Sequence, residues 1–212
     1  MPVNRLYAET IKEEVRLSRD EMRHLTKVLR HRDGDNVEVV DGKGTLARAL
    51  LKGERLIVTH REEAPPPTQL VLIQGLPALP KLEHIIEKGT ELGVTTFMLF
   101  PAHRSRTKAI SPSKRERLRA ITIAAMKQCG RLYLPEIEVH THLTVPDFPL
   151  YCASLTGKGK LRASTPCAIA IGPESGFTQE EEAQLGTPFS LHHNTLRSET
   201  AAIAALAQVW HH

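Results

Sequence analysis

The chain has 212 residues, 41% of them apolar, which is enough to bury a core in one large domain or in a small domain joined to a medium one. It has no apolar run of about eighteen residues, which argues against a membrane helix. Its first residues also lack the layout of a signal peptide, so the expected compartment is the cytoplasm. Three cysteines without Cys-x-x-Cys spacing predict neither a disulfide framework nor a zinc site.

The net charge of +4 is unevenly distributed along the chain. Residues 71–135 hold 11 basic and 4 acidic side chains, whereas residues 136–212 hold 4 and 8. The basic excess is concentrated in residues 103–108 and 114–119. Such runs favour contact with phosphate groups, and a solvated helix face explains the same pattern equally well.

The sequence pattern of the first part of the chain predicts a small β-barrel or sheet. Short β-like runs at residues 36–40 and 56–59 are separated by Asp-Gly turn signals. Between Glu21 and Arg30, apolar residues recur at helical spacing and predict one amphipathic helix. Three consecutive prolines, Pro65–Pro67, then fix the backbone and remove amide donors, so we place a domain boundary there, with domains 1–66 and 67–212.

The second part alternates buried-looking strands with helices, the pattern of an α/β domain whose parallel sheet is covered on both faces. The predicted strands are 69–74, 96–100, 167–171 and 189–191, and the predicted helices are 80–92, 113–129, 179–185 and 198–209. Generic nucleotide-binding, zinc-protease and serine-hydrolase motifs are absent from the sequence.

One strand-to-helix turn is the strongest local signal. The strand Ala168–Ile171 runs into Gly172-Pro173-Glu174-Ser175-Gly176, where the two glycines permit close approach of backbone to a ligand. Thr178 is the predicted N-cap of the next helix, and Glu181 completes a capping box. A ligand-binding loop and a purely structural turn are equally favoured by these residues alone.

A second segment, residues 191–201, leaves a strand and enters a helix rich in alanine. Ser198 has the place of a helix N-cap in this pattern. The adjacent His192 and His193 are poorly placed to share one metal ion, and no third ligand is evident, so no metal is predicted. Arg131, just beyond the long helix, suits either a helix C-terminus or a phosphate contact.

Five segments, taken in chain order, resemble the RsmE family of 16S ribosomal RNA (uracil-N3)-methyltransferases. They are residues 24–30, 81–93, 128–131, 171–174 and 196–201. Each motif is weak alone, and the specificity lies in their ordered occurrence over nearly the whole chain. The resemblance implies a PUA-like RNA-binding barrel over residues 1–66 and a SPOUT-type methyltransferase domain with a trefoil knot over residues 67–212. It further implies S-adenosylmethionine as cofactor, a homodimer, and 16S ribosomal RNA or the small ribosomal subunit as partner.

The resemblance also implies roles for individual residues. Two loops would bind the cofactor, and they supply Ile171, Gly172, Pro173, Glu174, Ser175 and Gly176 from the first and Leu191, His192, Asn194 and Leu196 from the second. Transfer to uracil N3 requires loss of its proton, for which Glu174 or Glu199 is the candidate acceptor and Arg197 the candidate stabiliser of the developing anion. Candidate RNA contacts are Arg30, Arg104, Arg106 and Arg131.

The chain departs from the family pattern in both loops. Ser175 stands where the family has glycine, and the second loop has His192 and Asn194 where the family has glycine and arginine. These changes leave two alternatives open: a SPOUT methyltransferase acting on another RNA site, and a degenerate RNA-binding protein without catalysis.

Overall fold

The computed structural model describes residues 5–209, apart from the side chain of His24. Residues 1–4, on which the expectation of no signal peptide partly rests, lie outside the described residues. The described chain forms two compact units. One contains the residues up to 67 together with 123–134, and the other contains 68–122 and the residues from 135 onward.

A curled, five-stranded sheet forms the first unit, with the strand order β1-β3-β4-β5-β2. Its strands are β1 (Arg5–Tyr7), β2 (Glu14–Arg16), β3 (Asn36–Val40), β4 (Thr45–Lys52) and β5 (Arg55–Glu63). Only β1 and β3 pair in parallel. Alternate residues of β4 are buried because successive side chains of a strand point to opposite faces. The predicted strands 36–40 and 56–59 are confirmed as β3 and β5, and β5 is longer than predicted.

The helical segment of the first unit differs from the prediction of one helix from Glu21 to Arg30. Helix α1 (Arg19–Arg23) begins earlier and continues as a π-helical turn, His24–Val28. Arg30 has a left-handed backbone with φ of 59°, which a helix cannot continue through. The predicted apolar face is buried in part: Leu25 is fully buried in the core of this unit and Met22 and Leu29 pack against it, whereas Val28 is 63% exposed.

The second unit contains a six-stranded sheet in which every pair of neighbouring strands is parallel. Its strands are β6 (Leu70–Gly75), β7 (Thr96–Phe100), β8 (Glu136–Val139), β9 (Leu150–Ala153), β10 (Cys167–Ile171) and β11 (Thr187–Phe189), in the order β11-β9-β10-β6-β7-β8. Every residue of β6 and β10 is buried. Alternate residues of these two strands belong to two separate apolar clusters, so the sheet has a core on each face, as the sequence predicted.

Four helices follow these strands: α2 (Leu79–Glu91), α3 (Pro112–Cys129), α4 (Gln179–Glu182) and α5 (Ser198–Leu206). Helix α4 is shorter than predicted because the amides of Gln184 and Leu185 bond three residues back, and Gly186 then takes a φ of 72°. The predicted strand 189–191 is displaced, since β11 ends at Phe189. Helix α5 likewise ends before Val209, in a tightened turn.

Residues 123–134 pack within the first unit although they follow 55 residues of the second. The Tyr133 hydroxyl donates to the Ala64 carbonyl over 2.8 Å, and Lys127 forms a 2.6 Å ion pair with Glu21. Sequence order gave no sign of this association. Among residues 5–209, no helix has both the length and the apolar character needed to cross a membrane.

Candidate active site

The strand order reverses between β6 and β10. From β6 the chain continues outward through β7 to β8, whereas β9, β10 and β11 lie on the other side of β6. In open parallel sheets, ligands bind in the crevice beyond the carboxyl ends of the strands at such a reversal. Gln74 near the end of β6 and Gly172 directly after β10 occupy this position. The topology therefore indicates a ligand site at the glycine-containing loop.

This loop, residues 172–176, is folded tightly against β6. The Gly176 amide donates to the Pro173 carbonyl over 2.9 Å. A Cβ on Gly172 would lie 3.0 Å from the Gly176 Cα, and a Cβ on Gly75 would lie 2.7 Å from the Pro173 Cδ. Glycine is thus needed at both positions for the loop to reach its place.

The predicted capping box at Thr178 is confirmed. The Glu181 amide donates to the Thr178 hydroxyl oxygen, and the Glu181 carboxylate accepts from the Thr178 amide over 2.9 Å. The other carboxylate oxygen of Glu181 accepts from the His103 amide. Arg104 donates to the carbonyls of Ser175 and Phe177 over 3.2 and 3.0 Å. The far side of the loop is therefore fixed by side chains of its own unit.

Two carboxylates and one ammonium group lie near the loop. Glu174 Oε1 accepts from the Ala78 amide over 3.0 Å and lies 3.2 Å from Lys81 Nζ. The same Lys81 nitrogen is 3.9 Å from Glu199 Oε2, which is buried and accepts no hydrogen bond from the described residues. Burial opposes ionisation of Glu174, but the backbone hydrogen bonds and Lys81 outweigh it and lower the pKa of that carboxyl.

Helix α5 brings Arg197 and Glu199 to this edge of the sheet. Ser198 is not the N-cap that the sequence predicted: that position belongs to Arg197, whose side chain makes no capping bond. Ser198 is instead the first residue of the helix. Its side chain is buried, and its hydroxyl donates to the Gly172 carbonyl over 2.6 Å. One hydroxyl group therefore joins α5 to the first loop.

The second loop, residues 190–197, is more exposed. His192 Nδ1 accepts from the Asn194 amide over 3.1 Å, and the rings of His192 and His193 lie 4.1 Å apart. Leu191 packs against the core. Among the described non-glycine residues only Arg30 has a positive φ, so His192 does not need the backbone freedom of the family's glycine. No three His, Cys, Asp or Glu side chains within residues 5–209 are grouped to hold a metal ion.

The four candidate RNA contacts are divided between the two units. Arg30 and Arg131 belong to the first unit, and Arg104 and Arg106 to the second. Arg30 and Arg106 are exposed, whereas Arg131 is half-buried, and desolvation lowers the pKa of its guanidinium. Arg104 uses its guanidinium to hold the first loop, a structural role that the sequence did not indicate.

Comparison with known proteins assigns the family. A family model described as an RNA methyltransferase domain matches residues 64–210, and one described as an RNA methyltransferase PUA domain matches residues 17–59. The chain is 31% identical to ribosomal RNA small subunit methyltransferase E of Synechocystis sp., over 95% of this chain and 74% of the relative. The chain belongs to the RsmE family. The RsmE protein of Bacillus subtilis is 27% identical, over 98% of this chain and 96% of its own.

Solved structures agree with this RsmE assignment. The methyltransferase E of Neisseria gonorrhoeae, bound to S-adenosylmethionine, superposes with a TM-score of 0.82 at 28% identity, covering 97% of this chain and 95% of that one. A Legionella pneumophila protein in complex with the same cofactor gives a TM-score of 0.85 at 25% identity, covering 98% and 96%.

Two residues of this RsmE chain were missed as site residues by sequence reasoning. Lys81 lies at the start of α2, where it reads as an ordinary solvated residue of an amphipathic helix. Gln74 is fully buried near the end of β6 and contacts both the first loop and α5. Its place directly after the apolar run Leu70-Val71-Leu72-Ile73, inside a strand that reads as buried, was the one signal that pointed to it.

Proposed function

We propose that this protein transfers a methyl group from S-adenosylmethionine to N3 of a uridine in 16S ribosomal RNA of the small ribosomal subunit. Membership of the RsmE family supports the reaction, and the cofactor bound to the Neisseria gonorrhoeae relative supports the methyl donor. The observation that carries the proposal is the contact between the glycine-containing loop and the start of α5. This contact lies where the strand order reverses.

The proposal assigns RNA binding to a PUA-like domain, residues 1–66, and catalysis to a SPOUT domain, residues 67–212, which contains the trefoil knot. The PUA match at residues 17–59 supports the first assignment. The protein acts in the cytoplasm as a homodimer. Arg30, Arg106 and Arg131 contact RNA phosphates, and Arg104, which is exposed, supports the first loop and also contacts RNA.

The first loop has the properties needed to hold the cofactor. Ile171, Gly172, Pro173, Ser175 and Gly176 line it, and a Cβ built on Gly176 meets no atom within 4 Å, so the backbone there faces open space. The second loop, from Leu191 to Leu196 with the exposed His192 and Asn194, closes the other side of the cofactor site. The bound cofactor supplies an electrophilic methyl group on its sulfonium.

Glu199 is the proton acceptor in this proposal. Its side chain is partly exposed, and its Oε2 atom lacks a hydrogen-bond donor among the described residues, so this carboxylate is free to accept the N3 proton of uracil. Glu174 is the weaker candidate because the Ala78 amide and Lys81 already stabilise its negative charge. A carboxylate so stabilised takes up a further proton less readily. The proton therefore moves from uracil N3 to Glu199.

Arg197 and Lys81 carry the positive charge of the site. Loss of the N3 proton leaves negative charge on the uracil ring, and in this proposal the exposed Arg197 at the start of α5 stabilises that charge. Lys81 holds Glu174 and leaves Glu199 at a longer distance. Lys81 therefore stabilises the negative charge of Glu174 more strongly, which leaves Glu199 as the better base.

Cofactor binding and methyl transfer test the proposal in two steps. Calorimetric titration with S-adenosylmethionine should show saturable binding. Incubation with methyl-labelled cofactor should then label small ribosomal subunits from a strain that lacks the gene. A chain that does not bind the cofactor would support the degenerate alternative, and a chain that binds it without labelling these subunits would contradict the proposed substrate and favour another RNA site.

A further inference from the structure

Gln74 and Ser198 form a buried polar joint at the reversal point of the sheet. Gln74 is fully buried, and its Nε2 lies 3.2 Å from each of three acceptors: the carbonyls of Ile171 and Gly172 and the hydroxyl oxygen of Ser198. It also donates to the Gly75 carbonyl over 2.7 Å. The Ser198 hydroxyl in turn donates to the Gly172 carbonyl over 2.6 Å, so β6, the first loop and α5 are joined by hydrogen bonds.

The orientation of the Gln74 amide follows from its neighbours. Three carbonyl oxygens surround Nε2, so an exchange of the amide nitrogen and oxygen would set four acceptor oxygens around the single proton of the Ser198 hydroxyl. The other amide atom, Oε1, is buried and has no hydrogen-bond donor among the described residues. A buried acceptor without a donor lowers the stability of the fold. The hydrogen bonds made by Nε2 must therefore outweigh the cost of leaving Oε1 unpaired.

We infer that Gln74 and Ser198 are positioning residues, which fix the distance between the cofactor loop and the start of α5. Ser198 stands between Arg197 and Glu199 in the chain, and its hydroxyl is bonded to Gly172, the residue that opens the loop. Movement at this bond changes the separation of Glu199 from the loop. The inference rests on the proposed function, because the loop is taken to hold the methyl donor and Glu199 to receive the proton.

Ser198→Ala is the informative variant. The Gly172 carbonyl keeps Gln74 Nε2 as a donor, and Nε2 keeps its carbonyl acceptors, so the substitution leaves no buried group of this joint newly unpaired. We therefore expect Tm to fall by less than about 4 °C. The connection between the loop and α5 is lost, however, and a small misplacement of reacting groups lowers kcat by roughly 10- to 100-fold. The KM for the cofactor should change less than about threefold, since the loop itself is intact.

Thr90→Val is the matched control. Thr90 is buried in the same unit, and its hydroxyl donates to the Ile86 carbonyl of its own helix. Removing that hydroxyl should leave kcat unchanged. A cycle of Gln74→Met, Ser198→Ala and the double variant tests whether the pair acts as one device: the double variant should be no slower than the slower single variant.

The deciding experiment combines kinetics with hydrogen exchange of the full-length protein. The inference predicts that Ser198→Ala speeds amide exchange in residues 172–177 and lowers kcat, while Thr90→Val does neither. Unchanged exchange in that loop, unchanged kcat, or strictly additive effects in the cycle would overturn it. Failure of the proposed function is seen separately, as a native protein that transfers no methyl group. The exchange rates alone then decide whether the joint holds the loop.

Discussion

At the scale of single residues, the two glutamates near Lys81 differ in how well their charge is already stabilised. Glu174 accepts a hydrogen bond from a backbone amide and lies closer to Lys81 than Glu199 does, and its pKa is lowered. Glu199 keeps one buried oxygen without a hydrogen-bond donor among the described residues. Because their surroundings differ in this way, we propose different roles for the two carboxylates: Glu174 shapes the loop and Glu199 accepts the proton.

This difference predicts unequal effects of the two isosteric substitutions. Glu199→Gln removes the proton acceptor and should lower kcat by at least about 100-fold, the range for loss of a general base. Glu174→Gln keeps the acceptor for the Ala78 amide and should lower kcat by less than about tenfold, through the lost Lys81 pair. Single-turnover methyl transfer at saturating cofactor measures both. A larger loss for Glu174→Gln would assign the base to Glu174 instead.

At the scale of elements, the capping box of α4 ends the first loop. Thr178→Ala removes one of its two reciprocal hydrogen bonds and should lower the free energy of unfolding by about 1 kcal/mol. Thr178→Ser retains the hydroxyl group and should lower it by less than about half as much. Urea denaturation measures both variants. Equal losses would mean that the hydroxyl bond does not carry the stability of this turn.

The second loop gives a test of the departure from the family pattern. His192 has no positive φ and its ring is exposed, so its backbone does not need glycine. We expect His192→Gly to change the Kd for S-adenosylmethionine by less than about threefold, because the lost contacts, the bond from the Asn194 amide and the ring contact with His193, are exposed. Calorimetric titration measures the change. Tightening by tenfold or more would show that the imidazole obstructs the cofactor.

At the scale of the whole molecule, the proposed RNA contacts are basic residues that belong to both units. Arg106 is exposed, so Arg106→Gln should weaken binding to ribosomal RNA at all sequences and reduce the slope of log K against log salt concentration by about 1. Arg117→Gln is the control, because Glu83 already pairs with that guanidinium. Equal slopes for the native protein and Arg106→Gln would remove Arg106 from the RNA contacts.

Much of the architecture could be predicted because strand and helix periodicity report directly on which faces are buried. The strands 96–100 and 167–171 were predicted to the residue. The packing of residues 123–134 with the first unit was not, since periodicity says that a face is buried but not which partner covers it. Lys81 was missed for the same reason: its partners Glu174 and Glu199 are distant in sequence.

The identity of the methylated atom decides whether the protein is a uridine-N3 methyltransferase. Small ribosomal subunits from a strain lacking the gene are incubated with the protein and S-adenosylmethionine, and the nucleosides of the digested 16S ribosomal RNA are separated by mass spectrometry against synthetic standards. The account predicts 3-methyluridine, formed by the native protein and greatly reduced with Glu199→Gln. A methyl group on uridine C5, on a ribose hydroxyl or on another base would contradict it.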